Sequence, residues 1–113
     1  MRRAAYAGMV VILAVFTGVF SVYAKDTVRL GLITPLTGDV KTYGESAKNA
    51  FQIALEEYGK KGKYKIEPFI ADDKNDPTEG TNGALKLITQ DKVLGVIGPL
   101  TSKVAIPVSE IAN

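Results

Sequence analysis

Two adjacent hydroxyl residues, Thr101 and Ser102, are the groups in this 113-residue chain whose position gives them chemistry to do. They follow the strand-breaking pair Gly98-Pro99. They precede Val104, Ala105, Val108, Ile111 and Ala112 at roughly helical spacing, so one of them stands where a helix N-cap is expected. The first turn of such a helix has N–H groups without intrahelical partners and the positive end of the helix dipole, which suits an anion such as a carboxylate. Two uses of Ser102 stay open: it caps its own helix, or it grips a ligand there. Tyr43, beside Gly44 after the first strand, has a similar pair of uses. Its ring lies across an apolar ligand, or it packs at a helix start with its hydroxyl in water.

Covalent and metal chemistry find little support. The chain has no histidine and no cysteine, which removes the commonest general base, the commonest zinc ligand and any thiol nucleophile. Ser102 lies outside a G-x-S-x-G frame and has no histidine to activate it. Gly31-Leu32-Ile33-Thr34-Pro35 lacks the glycine spacing of a dinucleotide site, and no P-loop Lys-Ser/Thr pair occurs. Asp72, Asp73 and Asp76 suggest a divalent cation, but Lys74 lies among them and Asp76 has a helix to cap. A solvated acidic loop without metal is the expectation, and no cofactor is called for.

The elements that must position these residues alternate. Val28, Leu30, Leu32 and Ile33 form a first strand ended by Pro35 and Gly38. A helix follows, with a capping box at Thr42 and Glu45 and an apolar stripe of Ala47, Ala50, Phe51, Ala54, Leu55 and Tyr58, closed by Gly59 and Gly62. A second strand runs from Tyr64 to Ala71, with Tyr64, Ile66 and Ile70 on one face. Its Pro68 cannot donate to a ladder, which marks an edge or a bulge. Asp76, Pro77 and Glu79 then start a second helix, with Thr81, Ala84, Leu85 and Ile88 as its buried stripe and an end near Gln90-Asp91. Val93, Leu94, Val96 and Ile97 read as a third strand covered on both faces. This is an α/β, Rossmann-like pattern with a parallel sheet of order 2-1-3. Its switch point, between strands one and three, brings Pro35–Gly44 and Gly98–Ser102 together beyond the carboxyl ends of the strands.

Residues 1–24 read differently. Arg2 and Arg3, an apolar run from about Ala4 to Phe20, and Val22-Tyr23-Ala24 make a secretory signal with a small-residue cleavage site, in preference to a membrane anchor. Removing 1–24 leaves residues 25–113 with 12 of the 14 basic residues against 12 acidic ones. That balance gives no reason to expect a nucleic-acid partner, and the Lys60, Lys61, Lys63 and Lys65 cluster reads as solvated surface. Export without cysteine excludes a disulfide framework and a lipidated cysteine, which leaves a soluble periplasmic protein.

With these residues set out, the chain resembles the type I periplasmic solute-binding proteins of ABC importers, in the branched-chain amino acid binding family. The resemblance rests on VRLGLITPLTGDVKTYGESAKNAFQIALEE, DDKNDPTEGTNGALKLI and VLGVIGPLTSKVAIPVSEIA, in that order. It implies that residues 25–113 are the first half of the first of two lobes, that the protein is no enzyme, and that it is a monomer when full length. It also implies a neutral amino acid or amide-like solute as ligand and an inner-membrane permease as partner. Ser102 and the backbone of Thr101 would hold the ligand's carboxylate, and Tyr43 its side chain. Lys103 replaces a small residue common in relatives, some of which take amides, urea or aromatic acids. Pro107 is expected to interrupt the last helix. A sensory domain of the same architecture is the alternative, and an exported enzyme with catalytic residues beyond Asn113 a third.

Overall fold

A computed structural model of the chain describes residues 25–113, and the expected signal segment lies outside them. The element order is β1 (Thr27–Thr34), α1 (Lys41–Lys61), β2 (Lys65–Asp72), α2 (Pro77–Thr89), β3 (Gly95–Ile97) and α3 (Ser102–Ala112). The sheet is parallel with order β2-β1-β3, as the alternation and Pro68 predict: β2 is an edge, and Pro68 stands opposite Leu30 on the central strand. β3 pairs with β1 over only three residues, Leu30 with Gly95 through Leu32 with Ile97.

The core lies on one side of the sheet. Ile33, Ala84, Leu87, Val104 and Val108 are buried together, with Phe69, Ala71, Val93 and Val96 packed against them. α2 and α3 thus share one face. They approach closely because Gly80 has no side chain where Val104 sits. α1 covers the opposite face, where Phe51 is buried but Ala50 and Ala54 remain exposed. Among the described residues, β3 is therefore not covered on both faces. Val96 joins the core, whereas Leu94 is 80% exposed and Ile97 50%.

Local signals fare unevenly. Asp76 caps α2 as expected, accepting from the Thr78 and Glu79 N–H groups at 2.9 and 3.0 Å, with Pro77 in the first turn. The reciprocal half of that box does not form. The Asp76 N–H already donates to the Asp73 carbonyl at 2.8 Å, and Glu79 turns to Lys74 at 3.7 Å. The box at Thr42 and Glu45 is absent altogether: α1 starts earlier, with Val40 at the N-cap position and no capping side chain. Its first turn is set instead by N–H donations from Lys41 to Gly38 and from Tyr43 and Gly44 to Val40. α1 also runs through Gly59 to Lys61, and Gly62 alone closes it. On α2 the buried positions are Gly80, Ala84 and Leu87, while Leu85 faces out. α3 continues through Pro107, which removes one N–H from the ladder without ending the helix.

Candidate functional site

The loops that follow β1, β2 and β3 gather at the carboxyl end of the sheet and are stitched to one another. Asp72, the last residue of β2, accepts from the Leu36 N–H at 2.8 Å, the Thr37 hydroxyl at 2.7 Å and the Lys74 N–H at 2.9 Å. Burial is the largest single influence on this carboxyl and pushes it up, but the donors together outweigh it and hold it below the ordinary range. Asp73 is buried, at 1% exposure. Its Oδ1 accepts from the Asn75 N–H at 2.8 Å, and its Oδ2 has no hydrogen-bond partner among the described residues. Burial pushes the Asp73 carboxyl up; the Asn75 N–H and the Lys103 charge pull it back, and the Asp72 charge adds to the rise. The acidic loop is therefore not the solvated surface that its composition suggests. Its charged groups are structural.

These carboxylates fix an unusual backbone. Lys74 and Asn75 take successive left-handed conformations, φ 50° and 56°, which are uncommon away from glycine and tolerated best by asparagine and aspartate. The turn aims the Asn75 side chain across the site, where its Oδ1 accepts from the Thr101 hydroxyl at 2.8 Å. Nothing local in the sequence signals this link, because its partners lie 26 residues apart.

Thr101 occupies the N-cap position of α3 in extended conformation, yet its side chain makes no cap. Its carbonyl accepts from the Val104 and Ala105 N–H groups at 3.1 and 2.9 Å. Among the described residues nothing accepts from the N–H groups of Ser102 and Lys103. Ser102 is the first helical residue, exposed, with its hydroxyl in no hydrogen bond to the described residues. Of the two uses left open for Ser102, the cap falls away: the N-cap position belongs to Thr101, and the Thr101 hydroxyl is engaged elsewhere. The approach to this helix is set by Gly98, at φ 88° and packed so closely on the Ile33 carbonyl that a Cβ would collide with it.

Tyr43, 70% exposed, sits on the first turn of α1 across from this helix start. With Val40, Leu100 and Thr101 it lines an open recess of about 280 Å³. Its position depends on Gly44, which is buried so tightly against Pro35 that a Cβ there would overlap the Pro35 carbonyl. Of the three expected site residues, Tyr43 and Thr101 line the recess, and Ser102, next to Thr101 in the chain, does not. No signal in the sequence marks Asn75, Val40 or Leu100, and Asp73, read there as part of a solvated loop, is buried instead. A larger hollow of about 580 Å³ lies at the opposite end of the sheet. There Arg29 pairs with Glu67 at 3.4 Å, and Lys92 lines the hollow as well.

Residues 27–113 match the family model described as periplasmic binding protein. The chain belongs to that family. It is 42% identical over 95 residues to the Leu/Ile/Val-binding protein BraC3 of Rhizobium johnstonii, covering 81% of this chain and 26% of that protein. It is 32% identical over 91 residues to a leucine-, isoleucine-, valine-, threonine- and alanine-binding protein of Pseudomonas aeruginosa, covering 78% of this chain and 24% of that one. Among solved structures, LivJ of Streptococcus pneumoniae in complex with isoleucine superposes with a TM-score of 0.74. The identity is 28%, over 77% of this chain and 26% of LivJ. A solute-binding protein from Rhodopseudomonas palustris in complex with 3,4-dihydroxybenzoic acid gives 0.71 and 31%, over 77% of this chain and 24% of its own. This periplasmic binding protein chain therefore spans about a quarter of the length of the relatives it matches. Within that family its likeness is to the type I members of the branched-chain amino acid binding group.

Proposed function

We propose that residues 25–113 contribute the first-lobe half-site of an ABC importer's solute-binding subunit, which takes a branched-chain or related neutral amino acid and passes it to the permease. The observation that carries this reading is the open first turn of α3. The Ser102 and Lys103 N–H groups and the Ser102 hydroxyl have no protein acceptor or partner among the described residues, beside the recess that holds Tyr43. Such a turn suits a carboxylate, the group common to every amino acid ligand. Ser102 and the Thr101 backbone grip the carboxylate, and Tyr43 lies along the ligand's side chain. A second lobe closes over the ligand by a hinge. Residues 1–24 direct export and are removed, so the mature protein starts at Lys25 in the periplasm.

A second ligand class has its own support. The Rhodopseudomonas palustris relative is in complex with an aromatic acid, and Tyr43 offers an exposed ring on which an aromatic ligand could stack. Both classes present a carboxylate to α3. Calorimetry on the full-length protein with leucine, isoleucine, valine, benzoate and leucinamide separates them. Tight binding of an aliphatic amino acid with loss of binding to leucinamide supports the proposal; a preference for benzoate assigns the aromatic class. Binding of leucinamide as tight as leucine counts against a carboxylate grip.

A further inference from the structure

We infer that Asn75 is a positioning residue for ligand binding, which keeps the first turn of α3 open by holding the Thr101 hydroxyl away from it. The inference rests on the carboxylate grip proposed above and names a residue on a different loop that the grip depends on. A threonine at an N-cap ordinarily turns its oxygen onto the N–H of the second or third helical residue. Those residues are Lys103 and Val104 here. The Val104 N–H is already taken by the Thr101 carbonyl at 3.1 Å, so Lys103 is the N–H that a capping hydroxyl would satisfy. Instead the Thr101 hydroxyl donates to Asn75 Oδ1 at 2.8 Å, in a partly buried contact.

The tether is built with care for its direction. Asn75 is in left-handed conformation, at φ 56°, and its N–H is held by the Asp73 carboxylate at 2.8 Å. Asp73 is itself anchored on both sides: its N–H donates to the Thr34 carbonyl at 3.3 Å, and its carbonyl accepts from Asp76. The chain from the end of β1 through the β2–α2 loop to Thr101 thus fixes where the hydroxyl points. A ligand carboxylate then meets a helix end that has not capped itself.

Two variants of the full-length protein test this. Asn75→Gly removes the amide while accepting the left-handed backbone, so it does not add strain. It frees the Thr101 hydroxyl to cap. In the ligand-free variant the Lys103 amide should gain protection from hydrogen exchange, and leucine affinity should fall about threefold to tenfold, since a cap of ordinary strength must be displaced. Adding Thr101→Val removes the hydroxyl that would cap. The double variant should return the Lys103 amide to fast exchange and recover most of the affinity lost in Asn75→Gly. A merely structural role for Asn75 predicts neither the gain in protection nor the recovery. Unchanged Lys103 exchange in Asn75→Gly overturns the inference, whatever happens to affinity, and so does a double variant weaker than the single one. If the wild-type protein binds no amino acid but Lys103 still gains protection in Asn75→Gly, the proposed ligand is wrong and the control of the helix end stands.

Discussion

Ser102 and Asp73 illustrate how far a residue's type falls short of its role. Ser102 was open to two uses from sequence alone, and the structure removes one of them: it stands one residue inside α3, exposed, with nothing to cap. Ser102→Ala should therefore cost stability less than about 0.5 kcal/mol, as an ordinary surface change does. If it donates to a bound carboxylate, a hydrogen bond worth about 1.5 to 3 kcal/mol is lost, and amino acid affinity should drop about tenfold to a hundredfold. Titration calorimetry and denaturant unfolding on the same preparation decide it, and an unchanged affinity removes Ser102 from the site. Asp73 gives a prediction of opposite character. Its folded carboxyl is raised above the unfolded value of about 3.9. The folded state thus binds the proton first, and stability is lost as pH rises through the folded value. Asp72 is lowered, so its contribution is present above the unfolded value and lost as pH falls through the folded one. Asp73→Asn removes the first dependence and keeps the second. Relative to that variant, the wild-type protein should gain stability as pH falls through the raised folded value toward the unfolded value of about 3.9, with Lys103 and Asp72 the neighbouring charges. A flat difference between the two would mean that Asp73 is ordinarily hydrated.

Elements divide by whether their determinants are local. The start of α2 was legible because Asp76 and Pro77 act within one turn, and the same logic placed its end near Gln90. The start of α1 was not. Thr42 and Glu45 have the right spacing for a box, but the chain must first bring Gly44 against Pro35, and that packing begins the helix at Lys41. One member of the expected α2 stripe, Leu85, was misplaced for a related reason, while Ala84 is buried as expected and Thr81 and Ile88 are half-buried. Periodicity counts apolar side chains, and the contact that fixes the helix is Gly80, which lets Val104 in and turns Leu87 rather than Leu85 toward the sheet. The strand order was legible from one residue, Pro68, since a ladder cannot use it in the middle. Gly98 joins both scales, for it ends β3 and delivers Thr101 to the site. Gly98→Ala must place a Cβ on the Ile33 carbonyl at φ 88°. It should lower the stability of the full-length protein by about 1 to 3 kcal/mol and weaken ligand binding together with it. A denaturation midpoint equal to wild type would show that the turn has another conformation available.

At the scale of the whole molecule, the sheet has one side filled and the other open. α2 and α3 bury Ile33, Leu87, Val104 and Val108 on the first side. On the second, α1 leaves an apolar groove of about 430 Å³ lined by Leu32, Ala50, Phe51, Ala54, Ile97 and Leu100. β3 pairs only with β1 among the described residues, so its outer edge presents free backbone groups next to exposed Leu94 and Ile97. An apolar groove beside an unpaired strand edge is a template for association. Residues 25–113 produced by themselves should therefore self-associate and bind leucine at least a hundredfold more weakly than the full-length protein. The proposed half-site would hold a carboxylate from one side only, and an amino acid needs its ammonium and most of its side chain covered as well. Analytical ultracentrifugation and calorimetry on the isolated piece check both statements. A monomer that unfolds cooperatively and binds leucine as the full-length protein does would show that this half-lobe is self-sufficient, and that the grip at α3 needs nothing opposite it.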